Sequence, residues 1–283
     1  MNNPIFCKKN TINVRGKIIS LAQPLVMGII NVTPDSFFDG GSKNSLDEIV
    51  EFTKQMLLEG ADIVDVGGYS SRPGASEVTA EEELNRVIPV IKSLVGEFPN
   101  IIISIDTFRS KVAFEAINAG ASIINDISAG ELDDKMFETV AQLKVPYIMM
   151  HTKGTPQNMQ QETNYNDLLN DVIDYFISKI NKLKALGVND MIIDPGFGFA
   201  KTLDQNYELL QKLAYFNVLE LPILVGISRK SMIYKLLNIS PSEALNGTSV
   251  LNTIALQNGA NIIRVHDVRE AKQTIALLQK TNN

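Results

Sequence analysis

The chain has one cysteine, Cys7, in 283 residues. No intramolecular disulfide can form, so burial must hold the fold together. There are two histidines, His151 and His266, far apart in the sequence. With a single cysteine they supply no Cys/His zinc set. Cationic charge is also short: 26 Lys and Arg stand against 32 Asp and Glu, for a net charge of −6. No basic field exists to attract nucleic acid or an anionic membrane, so positive charge must be gathered locally if an anion is bound. The first residues, MNNPIFCKKN, lack the apolar core of a secretory signal, and no run approaches a membrane span. No Ser/Gly, Pro, charged or low-complexity tract divides the chain. The expectation is one cytoplasmic domain over residues 1–283, with no nucleic-acid or membrane partner.

What is present is a repeat of short apolar runs that stop at polar residues. They end at Asn31 (VMGIIN), Asp65 (DIVDVGG), Asp106 (IIISID), Asn125 (SIIND), His151 (YIMMH), Asp194 (MIIDP), Ser228 (ILVGIS) and Arg264–His266 (IIRVH). Helix-like stretches separate the eight runs. The clearest spans about 167–186, where Leu168, Val172, Phe176, Ile180 and Leu183 recur at steps of three and four, and Gly187 closes it. Alternating strand and helix implies a parallel sheet. Eight units at this length imply a single α/β domain, a (β/α)8 TIM barrel, with the active site at the C-terminal ends of the strands. Residues 1–22 precede it, and the short extended pieces around KKNTINVRGK read as an N-terminal β-hairpin placed to close the bottom. The βα loops after runs one and two, NVTPDSFFDGG and GGYSSRPGASEVT, are long, and such loops usually carry function. Thr79 caps the acidic turn AEEE that follows.

Asp106 and Asp194 each end an apolar strand, and each also precedes a turn it could cap. Together with Asn125 and Lys230 they favour a pocket, because fixed acceptors and donors suit a flat heterocycle with amide-like and amino groups. An ionised Asp can take two parallel N–H bonds from a guanidine-like edge. Arg72, Lys230, Arg264 and His266 sit at strand ends or in adjacent loops, as an anion site requires; SSRPG and ISRKS add hydroxyls and backbone N–H groups near helix starts. Arg229 reads equally as a surface ion pair. Arg264 lies inside an apolar strand, where either an anionic ligand or a structural pair with Asp106 or Asp65 would satisfy it. Asn31, Asp35 and Asp39 offer hard oxygens for Mg²⁺, although Pro34-Asp35 and Asp39-Gly40 are also ordinary turn sequences. Phe37, Phe197 and Phe199 could wall an aromatic ligand or simply pack.

These segments, taken in order, resemble the dihydropteroate synthase family of the folate pathway. The resemblance runs from about residue 25 to 270, on MGIINVTPDSFFDGG, DVGGYSSRPGA, SIDTFRS, INDISAG, MMHTKGTPQNMQ, DPGFGFAK, GISRKS and RVHDV. It implies condensation of a 6-hydroxymethyl-dihydropterin diphosphate with 4-aminobenzoate, release of pyrophosphate, a need for Mg²⁺, a place among the enzymes that sulfonamides target, and a homodimer. By motif, Asp106, Asn125, Asp194 and Lys230 would hold the pterin. Arg264, His266 and Asn31 would hold the diphosphate, with Mg²⁺ near Asn31. Phe37, Ser71, Arg72, Pro73, Phe199 and Ser231 would build the aminobenzoate subsite. Asp39, Asp106, Lys230, Arg264 and His266 would carry the catalysis, a dissociative, SN1-like substitution.

Four positions depart from the family pattern. Tyr69 and Ser71 stand where Glu and Thr are more frequent, Phe38 where Ser is frequent, and Ala200 where Gly is also found. Tyr69 is the largest change. None removes a group the chemistry needs. Three other readings compete: a pterin-binding methyltransferase domain, an inactive pterin-binding paralogue, and a phosphate-binding barrel of sugar metabolism. The SRPG and RVHDV anion segments argue against the first, the intact polar set against the second, and the Asp/Asn/Asp/Lys set against the third.

Overall fold

The structure is a computed structural model and describes residues 8–32, 43–69 and 78–281. Strands β1 (Thr11–Val14) and β2 (Lys17–Ser20) form the expected antiparallel hairpin. Its two-residue turn, Arg15-Gly16, has φ of 53° and 80°, the left-handed pair that matches strand twist. There follow β3 (Leu25–Asn31), α1 (Lys43–Leu58), β4 (Ile63–Gly67), α2 (Ala80–Glu97), β5 (Ile103–Asp106), α3 (Ser110–Ala119), β6 (Ile123–Asp126) and α4 (Met136–Leu143). Then come β7 (Tyr147–Met150), α5 (Leu168–Ala185), β8 (Met191–Asp194), α6 (Leu203–Gln211), β9 (Leu224–Val225), α7 (Ser231–Leu237), α8 (Leu245–Gln257), β10 (Ile262–Val265) and α9 (Val268–Thr281).

The eight strands β3 to β10 pair in parallel, in the order β8-β7-β6-β5-β4-β3-β10-β9. A single bridge, Ile193 to Ile223, joins β8 to the segment leading into β9 and nearly closes the barrel. The order is that of a (β/α)8 barrel. Several strands run a residue or two past the apolar stretch that marks them in sequence. The backbone ladder continues where side-chain polarity begins: Asp106 still pairs with Asn125, and Asp194 with Met150.

Helix boundaries follow their local chemistry. Thr79 and Glu82 form a reciprocal capping box at the start of α2. Asp167 accepts from the Asn170 N–H at the start of α5, and Gly187, at φ 79°, receives the chain at its end. All five apolar residues of the α5 stripe are buried.

Alternation along each strand divides the interior into two levels. A lower cluster joins Met27, Ile63, Ile123, Ile148, Ile192, Leu224 and Ile262 to Ile12, Val14 and Leu21 of the hairpin segment. The hairpin therefore seals the N-terminal end. Two residues further along the same strands, Ile63 gives way to Asp65, Ile123 to Asn125, Ile192 to Asp194 and Ile262 to Arg264. The barrel is apolar at the bottom and charged at the top, and the change takes one pleat.

Candidate active site

The upper level is a connected network. Arg264 on β10 donates through Nε to Asp65 Oδ2 at 2.6 Å and through Nη2 to Asp106 Oδ2 at 2.7 Å. Asn125 Nδ2 donates to the same Asp65 oxygen at 3.1 Å. Asp65 is fully buried, and its Oδ1 has no hydrogen-bond partner among the described residues. Asn31, Gly67, Asp106 and Asn125 stand on one rung across β3 to β6. A Cβ on Gly67 would lie 3.4 Å from that of Asp106, so the glycine leaves room beside the carboxylate. Two carboxylates share one guanidinium here. Burial pushes Asp106 up to about 7; Arg264 opposes the shift and Asp65 adds to it.

A second group lies at β8 and the start of α7. Asp194 Oδ1 accepts from the Gly196 N–H at 2.8 Å. Its carboxyl is raised by burial, against the pull of Lys230 and the Gly196 N–H. Lys230 donates to the Phe197 carbonyl, and its Nζ lies 4.3 Å from the centre of the Phe199 ring. Burial lowers Lys230 to about 8, with Asp194 opposing. Ser231 follows as the first residue of α7. Phe197 is fully buried and belongs to the core, so of these two aromatics only Phe199 can face a ligand.

The third group is Ser228 and His266. The His266 backbone N–H donates to Ser228 Oγ at 3.2 Å, and that hydroxyl lies 3.0 Å from His266 Nδ1. The direction of that second contact depends on the imidazole tautomer, because the hydroxyl can either donate to Nδ1 or accept from it. Arg229 is an ion pair, held at both ends of its guanidinium by Asp267 at 2.9 and 2.7 Å.

Asp106, Asn125 and Arg264 thus come together directly, and Asp194, Lys230 and Phe199 form a group beside them. Asn31 and His266 sit at the ends of the strands that flank and include Arg264. Asp39, Phe37, Ser71, Arg72 and Pro73 lie outside the described residues, as does Asp35. Among the described residues no three His, Cys, Asp or Glu side chains cluster as a metal site, and no helix is long and apolar enough to cross a membrane. Asp65 is one of the two carboxylates that the sequence offers Arg264, and the structure makes it the common anchor of Arg264 and Asn125. The signal was there: a carboxylate inside IVDVG and a guanidinium inside IIRV, both within apolar strands.

A barrel whose C-terminal mouth gathers buried carboxylates, an amide, a lysine and an arginine defines a class: a TIM-barrel enzyme with a polar pocket at the strand ends. Residues 27–266 match the model of the pterin binding enzyme family. The dihydropteroate synthase of Escherichia coli K12 is 46% identical over 269 residues, 94% of this chain and 95% of that protein. The crystal structure of Yersinia pestis dihydropteroate synthase with a sulfonamide drug superposes with a TM-score of 0.90 at 43% identity, covering 96% of this chain and 99% of the other. Xanthomonas albilineans dihydropteroate synthase with 4-aminobenzoic acid gives 0.89 at 37% identity, with 96% and 98% covered. The chain belongs to the pterin binding enzyme family, and within it to the dihydropteroate synthases, which are transferases.

Proposed function

We propose that the chain joins 6-hydroxymethyl-7,8-dihydropterin diphosphate to 4-aminobenzoate, giving 7,8-dihydropteroate and pyrophosphate by a dissociative substitution. The observation that supports this reading is the polar level above the apolar barrel core, where Asp65, Asp106, Asn125 and Arg264 form one network beside Asp194 and Lys230. Asp194 accepts from the amino group and ring N–H of the pterin, Asn125 reads the adjacent edge, and Lys230 donates to the ring carbonyl. Arg264 and His266 take the diphosphate. The C–O bond to the diphosphate breaks with its electron pair leaving on pyrophosphate. The ring then stabilises the methylene cation, with the Asp106 carboxylate nearby. The neutral arylamine nitrogen donates its lone pair to that carbon and afterwards sheds a proton. No strong base is needed, and the protein supplies orientation, charge and exclusion of water.

Asp39 is assigned to the same cation. Phe37, Ser71, Arg72, Pro73, Phe199 and Ser231 are assigned to the aminobenzoate subsite. Mg²⁺ fits a site with one protein oxygen, because this ion usually binds through one or two protein ligands, waters and substrate phosphates. Asn31 would supply that oxygen, at the end of β3 and on the strand adjacent to Arg264. When bound, the ion would neutralise diphosphate charge. The chain is further proposed to work as a homodimer in the cytoplasm. Leu236 and Leu237 of α7 and Val250 of α8 are all more than half exposed, and supply apolar surface for a second copy.

The direct test of the pocket is Asp194→Ala. It should abolish measurable binding of 6-hydroxymethyl-7,8-dihydropterin while the circular dichroism spectrum is kept. Near-normal affinity would remove Asp194 from the pterin site.

A further inference from the structure

The loop between β8 and α6 is held by one buried lysine. Lys201 is 3% exposed. Its ammonium lies 3.0 Å from each of three acceptors: the Gly196 carbonyl, the Phe199 carbonyl and His151 Nδ1. All three ammonium hydrogens are therefore used. Two acceptors belong to the loop, and the third follows β7 directly. At Gly196, where φ is +75°, a Cβ would fall 2.0 Å from the His151 carbonyl oxygen, so loop and strand end are in backbone contact. The His151 ring is 1% exposed and sits edge-on to Tyr175 at 4.9 Å and tilted to Tyr165 at 6.0 Å. Tyr165 in turn donates to the Ala200 carbonyl at 2.8 Å.

The same loop orients two side chains of the site. Its Gly196 N–H holds the Asp194 carboxylate, its Phe197 carbonyl holds the Lys230 ammonium, and its Phe199 ring lies beside that ammonium. We propose that Lys201, seated on His151, is a positioning residue for pterin recognition: it fixes the β8–α6 loop and through it the Asp194 carboxylate and the Lys230 ammonium. The inference rests on the assignment of Asp194 and Lys230 to the pterin.

The charged and titratable groups facing Lys201 are His151 and Lys153 after β7, Asp194 at the end of β8, and Lys230 before α7. Burial lowers Lys201 to about 7, Asp194 opposes this, and Lys230 and Lys153 add to it. His151 is held well below the usual histidine range, by burial first and then by Lys201 and Lys153. Its ring is a neutral acceptor at Nδ1, with its hydrogen on Nε2.

Three measurements test this: the Kd for 6-hydroxymethyl-7,8-dihydropterin by calorimetry, the KM for 4-aminobenzoate, and the ¹⁵N resonances of the two histidines. Lys201→Met should raise the pterin Kd about ten- to hundredfold, and should raise the aminobenzoate KM as well, because the loop it fixes also carries Phe199. In the wild type at about pH 6, His151 should be neutral with a bare Nδ1, and in Lys201→Met it should become protonated at a higher pH than before. An unchanged pterin Kd or an unmoved His151 titration would overturn the proposal. Should Lys201→Met fail to fold, a pair at His151 decides. His151→Asn keeps an acceptor oxygen and should bind pterin within about threefold of wild type, whereas His151→Leu leaves an ammonium hydrogen unpartnered and should bind about tenfold more weakly. Equal affinity in that pair overturns the proposal. Asp194→Ala in the same assay separates the two levels. If it retains pterin affinity, the pocket assignment fails and the positioning role falls with it. If it loses affinity while the Lys201 and His151 variants do not, only the positioning role fails.

Discussion

Asp65→Ala removes the anchor that Arg264 and Asn125 share. Asp65 is fully buried and accepts from Arg264 Nε at 2.6 Å and from Asn125 Nδ2 at 3.1 Å on one oxygen. Deleting one partner of a buried ion pair costs about 3–5 kcal/mol, because the remaining charge stays desolvated. Arg264 keeps Asp106 at 2.7 Å, which places the expected loss at the lower end, about 3 kcal/mol. That is about a fifth to three fifths of a typical stability of about 5–15 kcal/mol. Asp65→Asn keeps an acceptor and loses only the charge, so it should cost about half as much. Urea unfolding at fixed m value reads both variants as shifts of the midpoint. A second signature separates this account from a simple cavity. The negative charge of Asp65 helps hold Asp106 up, so in Asp65→Ala the Asp106 titration moves to lower pH. A loss below about 1 kcal/mol, or an Asp106 titration that stays in place, would show that Arg264 does not depend on Asp65.

Asp106 has a raised folded-state pKa of about 7 against an ordinary 3.8. Between these values the folded chain holds a proton that the unfolded chain has shed, so stability falls as pH rises through the window. Asp106→Asn should make that slope shallower in urea titrations from about pH 4 to 7, with the other raised carboxyls, Asp194 among them, supplying the remainder; an unchanged slope would remove Asp106 from it. In turnover, kcat/KM for the pterin substrate should rise with ionisation of Asp106 near 7 and fall as Lys230 loses its proton near 8. Lys230→Met should remove the alkaline limb from stopped-time assays, and a limb that survives would reassign it. Arg72→Ala should raise the KM for 4-aminobenzoate more than that for the pterin; equal changes would move Arg72 out of the amine subsite. Tyr69 is held by ring contacts with Phe108 and Arg109 and by a 3.1 Å bond from Gln157 to its hydroxyl. Tyr69→Phe loses only that bond and should cost about 1 kcal/mol or less in thermal melts, so a larger loss would show that the hydroxyl does more.

Much of this molecule was legible in the sequence because the barrel repeats one instruction: an apolar strand that turns polar at its C-terminal end. Asp106, Asn125, Asp194 and Arg264 could be picked out by that switch alone, and the structure puts them on the upper level of the barrel. Strand ends were harder to read, since the ladder between Asp106 and Asn125 continues past the hydrophobic stretch. The role of Asp65 stayed open because its partners lie 60 and 199 residues away, and pairing across a barrel has no local signal. Lys201 was hidden for a related reason. In DPGFGFAK it follows the glycines like a surface lysine, and its partners, His151 Nδ1 and two loop carbonyls, come together only in the folded chain. Phe197 and Phe199 look alike in sequence, yet one is core and the other lies beside Lys230.

The most direct measurement is pyrophosphate release from 6-hydroxymethyl-7,8-dihydropterin diphosphate with Mg²⁺, in the presence and absence of 4-aminobenzoate. The expected result is release that depends on the amine, matched mole for mole by 7,8-dihydropteroate. No release from a chain that still binds pterin, or release without any amine adduct, would contradict it.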